Sequence, residues 1–166
     1  MDELRVGVTG HRALAAPAVV AGEVDRILDG LRSLSRVVIA VSSLAEGADR
    51  IVARRVLAGT AGRLEVVLPL AVDDYATDFA DPASRIEYDA LLAAASGVVV
   101  VPADPTHPSR EAAYERAGRA VLDRCDVLLA LWDGRPSRGR GGTAEIIAHA
   151  RACGLRVEVV AVERAV

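Results

Sequence analysis

Asp126-Val127-Leu128-Leu129-Ala130-Leu131-Trp132 runs directly into Asp133-Gly134-Arg135-Pro136-Ser137-Arg138-Gly139-Arg140-Gly141-Gly142-Thr143-Ala144-Glu145, and Ile146 to Ala152 follows. The first run is apolar and strand-like, the second is a glycine-rich loop, and the third has the Ile and Ala of a packed helix. Glycines let the backbone take positive φ and approach a ligand closely, and the free N–H groups of a helix start attract negative charge. The order strand, loop, helix therefore predicts an anion seat. Thr143 and Glu145 stand at or just inside the helix start. Their plainer roles there are a hydroxyl cap and a carboxylate facing the positive end of the dipole.

The same order recurs upstream. Leu4 to Thr9 reads as a first short strand ending at Gly10-His11-Arg12, and Val20, Val24, Ile27, Leu28 and Leu31 recur at helical spacing after Pro17. Val37 to Val41 is a second strand, Ser42 to Asp49 its loop, and Ile51 to Leu57 begins a helix. A third strand, Leu64 to Leu68, stops at Pro69. Ala71 to Asp89 breaks the rhythm: six carboxylates face one base, Arg85, in a partly irregular insertion that enters a helix packing Leu91 and Leu92. Its acids lack a ligand-spacing pattern, so no metal is expected. Gly97 to Val101 is a fourth strand, and three prolines between 102 and 108 force a loop. A helix from about Ser109 to Asp123 leads into the strand and loop quoted first, and Val157 to Val162 is the last strand.

This pattern predicts an α/β fold: a three-layer, Rossmann-like open parallel sheet of about six strands flanked by about five helices, in one domain spanning 1–166. The composition agrees. A chain 52% hydrophobic but only 3% aromatic builds its core from Val, Leu, Ile and Ala, as strands covered on both faces by helices do. All 20 basic residues are Arg, a bias that fits a GC-rich coding background, and the net charge is −3. Without a basic block, nucleic acid is not expected as a partner. Cys125 and Cys153 form no CxxC pattern and are expected to be buried, reduced thiols. The strand-like run at Leu4 leaves no room for a targeting leader, and no apolar run approaches the roughly 20 residues of a membrane span. A cytoplasmic protein, off the membrane, is expected.

In an open parallel sheet the carboxyl ends of the strands share one edge, and ligands collect where strand order reverses. Gly10-His11-Arg12, Ser42 to Asp49 and Asp133 to Thr143 all follow strand ends, so they are expected to line one cleft. Arg12, with Arg138 or Arg140 nearby, suits phosphates. Glu46, Asp49, Asp133 and Glu145 offer acceptors for ribose hydroxyls. Arg110, Tyr114 and Gly118 share a helix face, and Tyr114 beside the glycine gap is the contact favoured there. Arg119 has Glu115 and Asp123 four residues away on either side, the pattern of an exposed ion-pair ladder.

Three motifs then coincide with one family. Ser42-Ser43-Leu44-Ala45-Glu46-Gly47-Ala48-Asp49-Arg50 resembles the glycine turn of DprA-type proteins. Gly141-Gly142-Thr143-Ala144-Glu145 resembles the Gly-Gly-Thr region of Lonely Guy (LOG) proteins, and Gly7 to Arg12 with Asp126 to Gly134 is similar to the SLOG superfamily that unites them. The likeness covers nearly the whole chain. It implies a nucleotide or nucleotide-derived ligand (NAD- or ADP-ribose-like, or a nucleoside monophosphate) bound by Gly10, His11, Arg12, Ser43, Glu46, Gly47, Asp49, Tyr114, Gly118, Asp133, Gly134, Gly141, Gly142, Thr143 and Glu145. No cofactor beyond such a ligand is implied. The alternative is a LOG-type N-glycosidase, a phosphoribohydrolase. The sequence departs from that pattern: Ile146 stands where LOG proteins carry the catalytic Glu, Glu145 matches the neighbouring position, and the upstream catalytic Arg has only Arg116 and Arg119 near its place. Glu145 and Arg119 are the candidates for those two roles. Exposed helices of such folds commonly pair, so a homodimer is expected, with the acidic insertion as a lid.

Overall fold

Val37–Ser42 (β2) lies in register between two parallel neighbours, Glu3–Gly10 (β1), where Val6 meets Ala40, and Arg63–Leu68 (β3), where Leu64 meets Ala40 from the other side. The computed structural model describes residues 2–166. Gly97–Val100 (β4) extends the sheet beyond β3, while Val127–Trp132 (β5) pairs with β1 and Arg156–Ala161 (β6) with β5. The order is β4-β3-β2-β1-β5-β6, all parallel. The first four strands step outward in chain order and the fifth returns beside the first. Strand order therefore reverses between β1 and β5, the place where an open α/β sheet leaves a crevice.

Six helices connect the strands: Pro17–Arg32 (α1), Ala48–Ala58 (α2), Val72–Ala76 (α3), Pro82–Ala94 (α4), Arg110–Arg124 (α5) and Thr143–Ala152 (α6). α1 buries Val20, Val24, Leu28 and Leu31, one stripe at helical spacing. Each is worth roughly 1.5–3 kcal/mol when fully buried, which outweighs the marginal stability of an isolated helix of this length. Alternate residues of β5 face opposite layers. Val127, Leu129 and Leu131 join the core shared with α1, α2 and α4, whereas Leu128 and Ala130 pack with Ile146 and Ile147 of α6. That is the three-layer, Rossmann-like arrangement expected from the strand pattern.

The acidic stretch is partly irregular, as expected, with a non-helical segment between the short α3 and the first turns of α4, but it is packed down and not a free lid. Asp81 caps α4 by accepting the Ala83 N–H at 2.9 Å, and Pro82 follows at the first turn. Tyr75 packs edge to face on Phe79 and on Tyr88, Phe79 lies tilted against Tyr88, with ring centroids 5.1–5.9 Å apart in this core cluster, and Tyr114 of α5 adjoins Tyr75. Four of the five aromatic residues thus gather where the insertion meets the sheet. Arg110 clamps it from outside, 2.8 Å from Asp74 and 2.6 Å from Asp78. The cysteines are free thiols as expected but are not buried: Cys125 is only half-buried and Cys153 is exposed. Burial pushes the Cys125 thiol up to about 11. Among the described residues no helix is long and apolar enough to cross a membrane.

Candidate functional site

Two glycines bring the loops together. At Gly10 an added Cβ would stand 2.4 Å from the Cβ of Ala48 and 2.8 Å from the Leu131 carbonyl, so only glycine lets β1, α2 and β5 converge there. Gly47, at φ +79°, lies against the carbonyls of His11 and Arg12, and the Ala48 N–H donates to His11 O at 3.1 Å. The loops after β1, β2 and β5 consequently meet at one rim. Two adjoining cavities open there, of about 280 and 120 Å3, sharing Thr9, Gly10, Arg12, Tyr114 and Gly141. Together they reach the lower part of the roughly 300–1,000 Å3 range of small-molecule sites.

The outer cavity is cationic. Arg12, Arg135, Arg138, Arg140 and Arg164 line it, and no carboxylate residue does. In a chain with 23 acidic residues that segregation is not a compositional accident. Arg140 is paired with Glu115 at 2.7 Å, and Arg164 Nε lies 2.8 Å from Asp133 Oδ2. Arg12, Arg135 and Arg138 have no carboxylate within ion-pair distance among the described residues. Arg12 instead sits 5.3 Å above the ring of Tyr114, a cation–π contact that orients the guanidinium. The floor is the start of α6, with Gly142 at the N-cap. The Ser137 hydroxyl accepts the Glu145 N–H at 3.1 Å, and Glu145 reaches back to accept the Gly141 N–H at 2.8 Å. Thr143 and Ala144, whose N–H groups have no acceptor within the helix, line the cavity.

The inner cavity differs. Ser43, Asp49, Pro69, Tyr75, Gly118 and Ile146 join its walls. Asp49, in the first turn of α2, is buried; burial pushes its carboxyl up to about 6, against the Ala45 N–H and the nearby Arg12, which pull it down. A carboxylate of that kind beside a cavity is a group suited to accept a ligand hydroxyl, and perturbed acids cluster at such sites. Tyr114 donates its hydroxyl to Asp78, so its ring, not its oxygen, is left for the cavity. At Gly118 an added Cβ would lie 2.7 Å from Ile146 Cδ1, so this glycine lets α5 and α6 close behind the chamber.

The remaining sequence candidates have other partners. His11 Nε2 accepts the Asp133 N–H at 3.1 Å. Burial, reinforced by Arg164, holds its imidazole below the usual value, while Asp133, whose Oδ1 lies 3.1 Å from Nε2, pulls it the other way. Asp133 works against burial: the Arg135 N–H, His11 and Arg164 outweigh it and keep the carboxyl below the ordinary range. Asp133 thereby ties three segments together, and Gly134, at φ +80°, makes the turn beside it without lining either cavity. Glu46 accepts the Ser84 hydroxyl at 2.5 Å on a different face. Arg119 pairs with Glu115 at 3.2 Å on the surface of α5. Glu145 caps its own helix and lines neither cavity.

Four contributors were not read from the sequence: Arg135 and Ser137 within the quoted loop, Tyr75 from the insertion, and Arg164. Arg164 arrives because the C-terminal segment folds back. Leu14 and Arg164 form an antiparallel bridge, flanked by Ala15 N–H to Glu163 O at 2.9 Å and Ala165 N–H to Ala13 O at 3.2 Å. Arg50 was also passed over. Its buried guanidinium donates to Leu44 O at 3.0 Å and Ser84 O at 2.8 Å and stacks 4.4 Å over Phe79, locking the loop after β2 to α4. The chain matches no protein-family model and no curated protein.

Proposed function

We propose that this cleft binds a nucleotide or nucleotide-derived ligand, and that the chain is a SLOG-type binding or sensing domain. The observation that carries the reading is the outer cavity: five arginines and the free N–H groups at the start of α6 surround it at the point of strand reversal, and no carboxylate residue lines it. Arginine forks and first-turn amides are the donors that recognise phosphate oxygens. The adjoining chamber, with Asp49 and the Tyr114 ring, suits a hydroxylated and aromatic remainder.

Binding is favoured over N-glycosidic hydrolysis. An oxocarbenium-like transition state needs a carboxylate beside the sugar; Ile146 lines the inner chamber at the position where LOG proteins carry that Glu, Glu145 is engaged by the Gly141 N–H, and the one carboxylate residue of the chamber, Asp49, comes from α2 and not from the LOG position. Calorimetric titration with AMP, ADP, NAD and ADP-ribose tests the proposal. Saturable binding to one or more, weakened in Arg12→Ala, is expected, and no heat from any of the four ends it. Release of base from AMP at high protein concentration would restore the hydrolase alternative.

The homodimer belongs to the same proposal. The edge strand β4 leaves Val98, Val99 and Val100 more than 40% exposed, with open backbone groups that a second copy would pair. A molar mass of one chain by light scattering across a concentration series removes it.

A further inference from the structure

We infer that the ligand carries two linked phosphates, the second of them terminal, and so belongs to the nucleoside diphosphate class and not to the monophosphates. The inference rests on the nucleotide-binding reading above and adds the charge the site requires.

Arg140 and Arg164 already have counter-charges in Glu115 and Asp133. Arg12, Arg135 and Arg138 do not, and the start of α6 adds about half a positive charge. A phosphate monoester brings about −1.5 to −2 near neutral pH. It leaves more than one guanidinium without an anion in a cavity whose walls supply no carboxylate. The positions lead the same way. Arg12 comes from the loop after β1, Arg135 and Arg138 from the loop after β5, and the amides of Thr143 and Ala144 from α6. One tetrahedral group seated on the amides fills one end of a 280 Å3 cavity. The cavity has room for a second, linked phosphate within the same walls, which Arg12, Arg135 and Arg138 all line. The uncharged remainder then lies toward Asp49, where a second anionic group would be repelled.

The test is calorimetric titration of the whole chain with AMP and ADP, followed by displacement of ADP with pyrophosphate, inorganic phosphate or citrate. The second phosphate adds charge-assisted hydrogen bonds, so ADP is expected to bind about tenfold tighter than AMP, or more. Pyrophosphate should displace ADP at concentrations where phosphate and citrate do not. Arg138→Ala, and separately Arg135→Ala, alter exposed loop residues and should bring ADP within about threefold of AMP, because these two guanidinium groups hold the second phosphate. Equal affinity for AMP and ADP, or displacement by citrate as effective as by pyrophosphate, overturns the diphosphate inference while leaving nucleotide or anion binding intact. Absence of any binding by AMP, ADP and pyrophosphate removes both.

Discussion

A Cβ on Gly47 would stand 2.2 Å from the carbonyl oxygen of Arg12. This contact joins the loop after β2 to the loop after β1 and so sets the width of the cleft. Gly47→Ala must bear a left-handed backbone, which costs of order 1–3 kcal/mol, and must also push the two loops apart. Gly134 has the same sign of φ but nothing within 4 Å of its missing Cβ. Gly134→Ala is therefore expected to lower the melting temperature by a few degrees, at about 2–4 °C per kcal/mol for a chain of this size. Gly47→Ala should lower it by clearly more and weaken ligand binding as well. Equal melting temperatures for the two variants would refute the contact's role.

Arg50 is the second hinge of the site. Removing it leaves the buried Leu44 carbonyl without its donor, and Leu44 itself sits at φ +56°. Arg50→Ala is expected to cost about 1–3 kcal/mol, the range for leaving a buried acceptor without its donor. Chemical denaturation measures it. A loss below about 1 kcal/mol would mean that the aromatic cluster alone holds the insertion.

The pH dependence of stability separates Asp49 from His11. Asp49 is raised to about 6 in the fold from an ordinary value of 3.8. The folded protein therefore holds the extra proton between those values, and stability is lost as pH rises through that window, by about 3 kcal/mol in total. His11 has the opposite sign, since its folded value is lowered and its contribution is lost as pH falls below about 6.5. The two oppose each other near pH 6, so variants are needed. Asp49→Asn should gain stability relative to the natural chain between about pH 4 and 7, and a flat difference between the two curves would show that Asp49 is not held protonated.

Arg110 and Tyr114 converge on Asp78 and pin the insertion to α5. Asp78→Ala should raise amide exchange in α3 and α4 while leaving α1 and α6 protected. Exchange unchanged in α3 would show that Tyr75, Phe79 and Tyr88 suffice.

Much of this architecture is legible in one dimension. Strands buried on both faces must be continuously apolar, and helices must repeat their stripe, so Val37 to Val41 and Val20 to Leu31 declare themselves without reference to the rest of the chain. The cap at Asp81-Pro82 was equally local, and it was obscured only by the density of acids around it. Glycines at strand ends announced that loops would approach something closely. What they approach depends on strand order, which local pattern does not specify: pairing β5 with β1 is what sets Arg12 beside Gly141. Arg164 reaches the cavity through a backbone bridge to Leu14, 150 positions earlier. The fates of the acids, with Asp49 facing a chamber and Asp133, Glu46 and Glu145 engaged elsewhere, followed from which partners the folded chain brought within hydrogen-bond reach. Periodicity is a property of neighbours along the chain, whereas charge compensation is a property of neighbours in space, and only the second decides where the cleft is cationic.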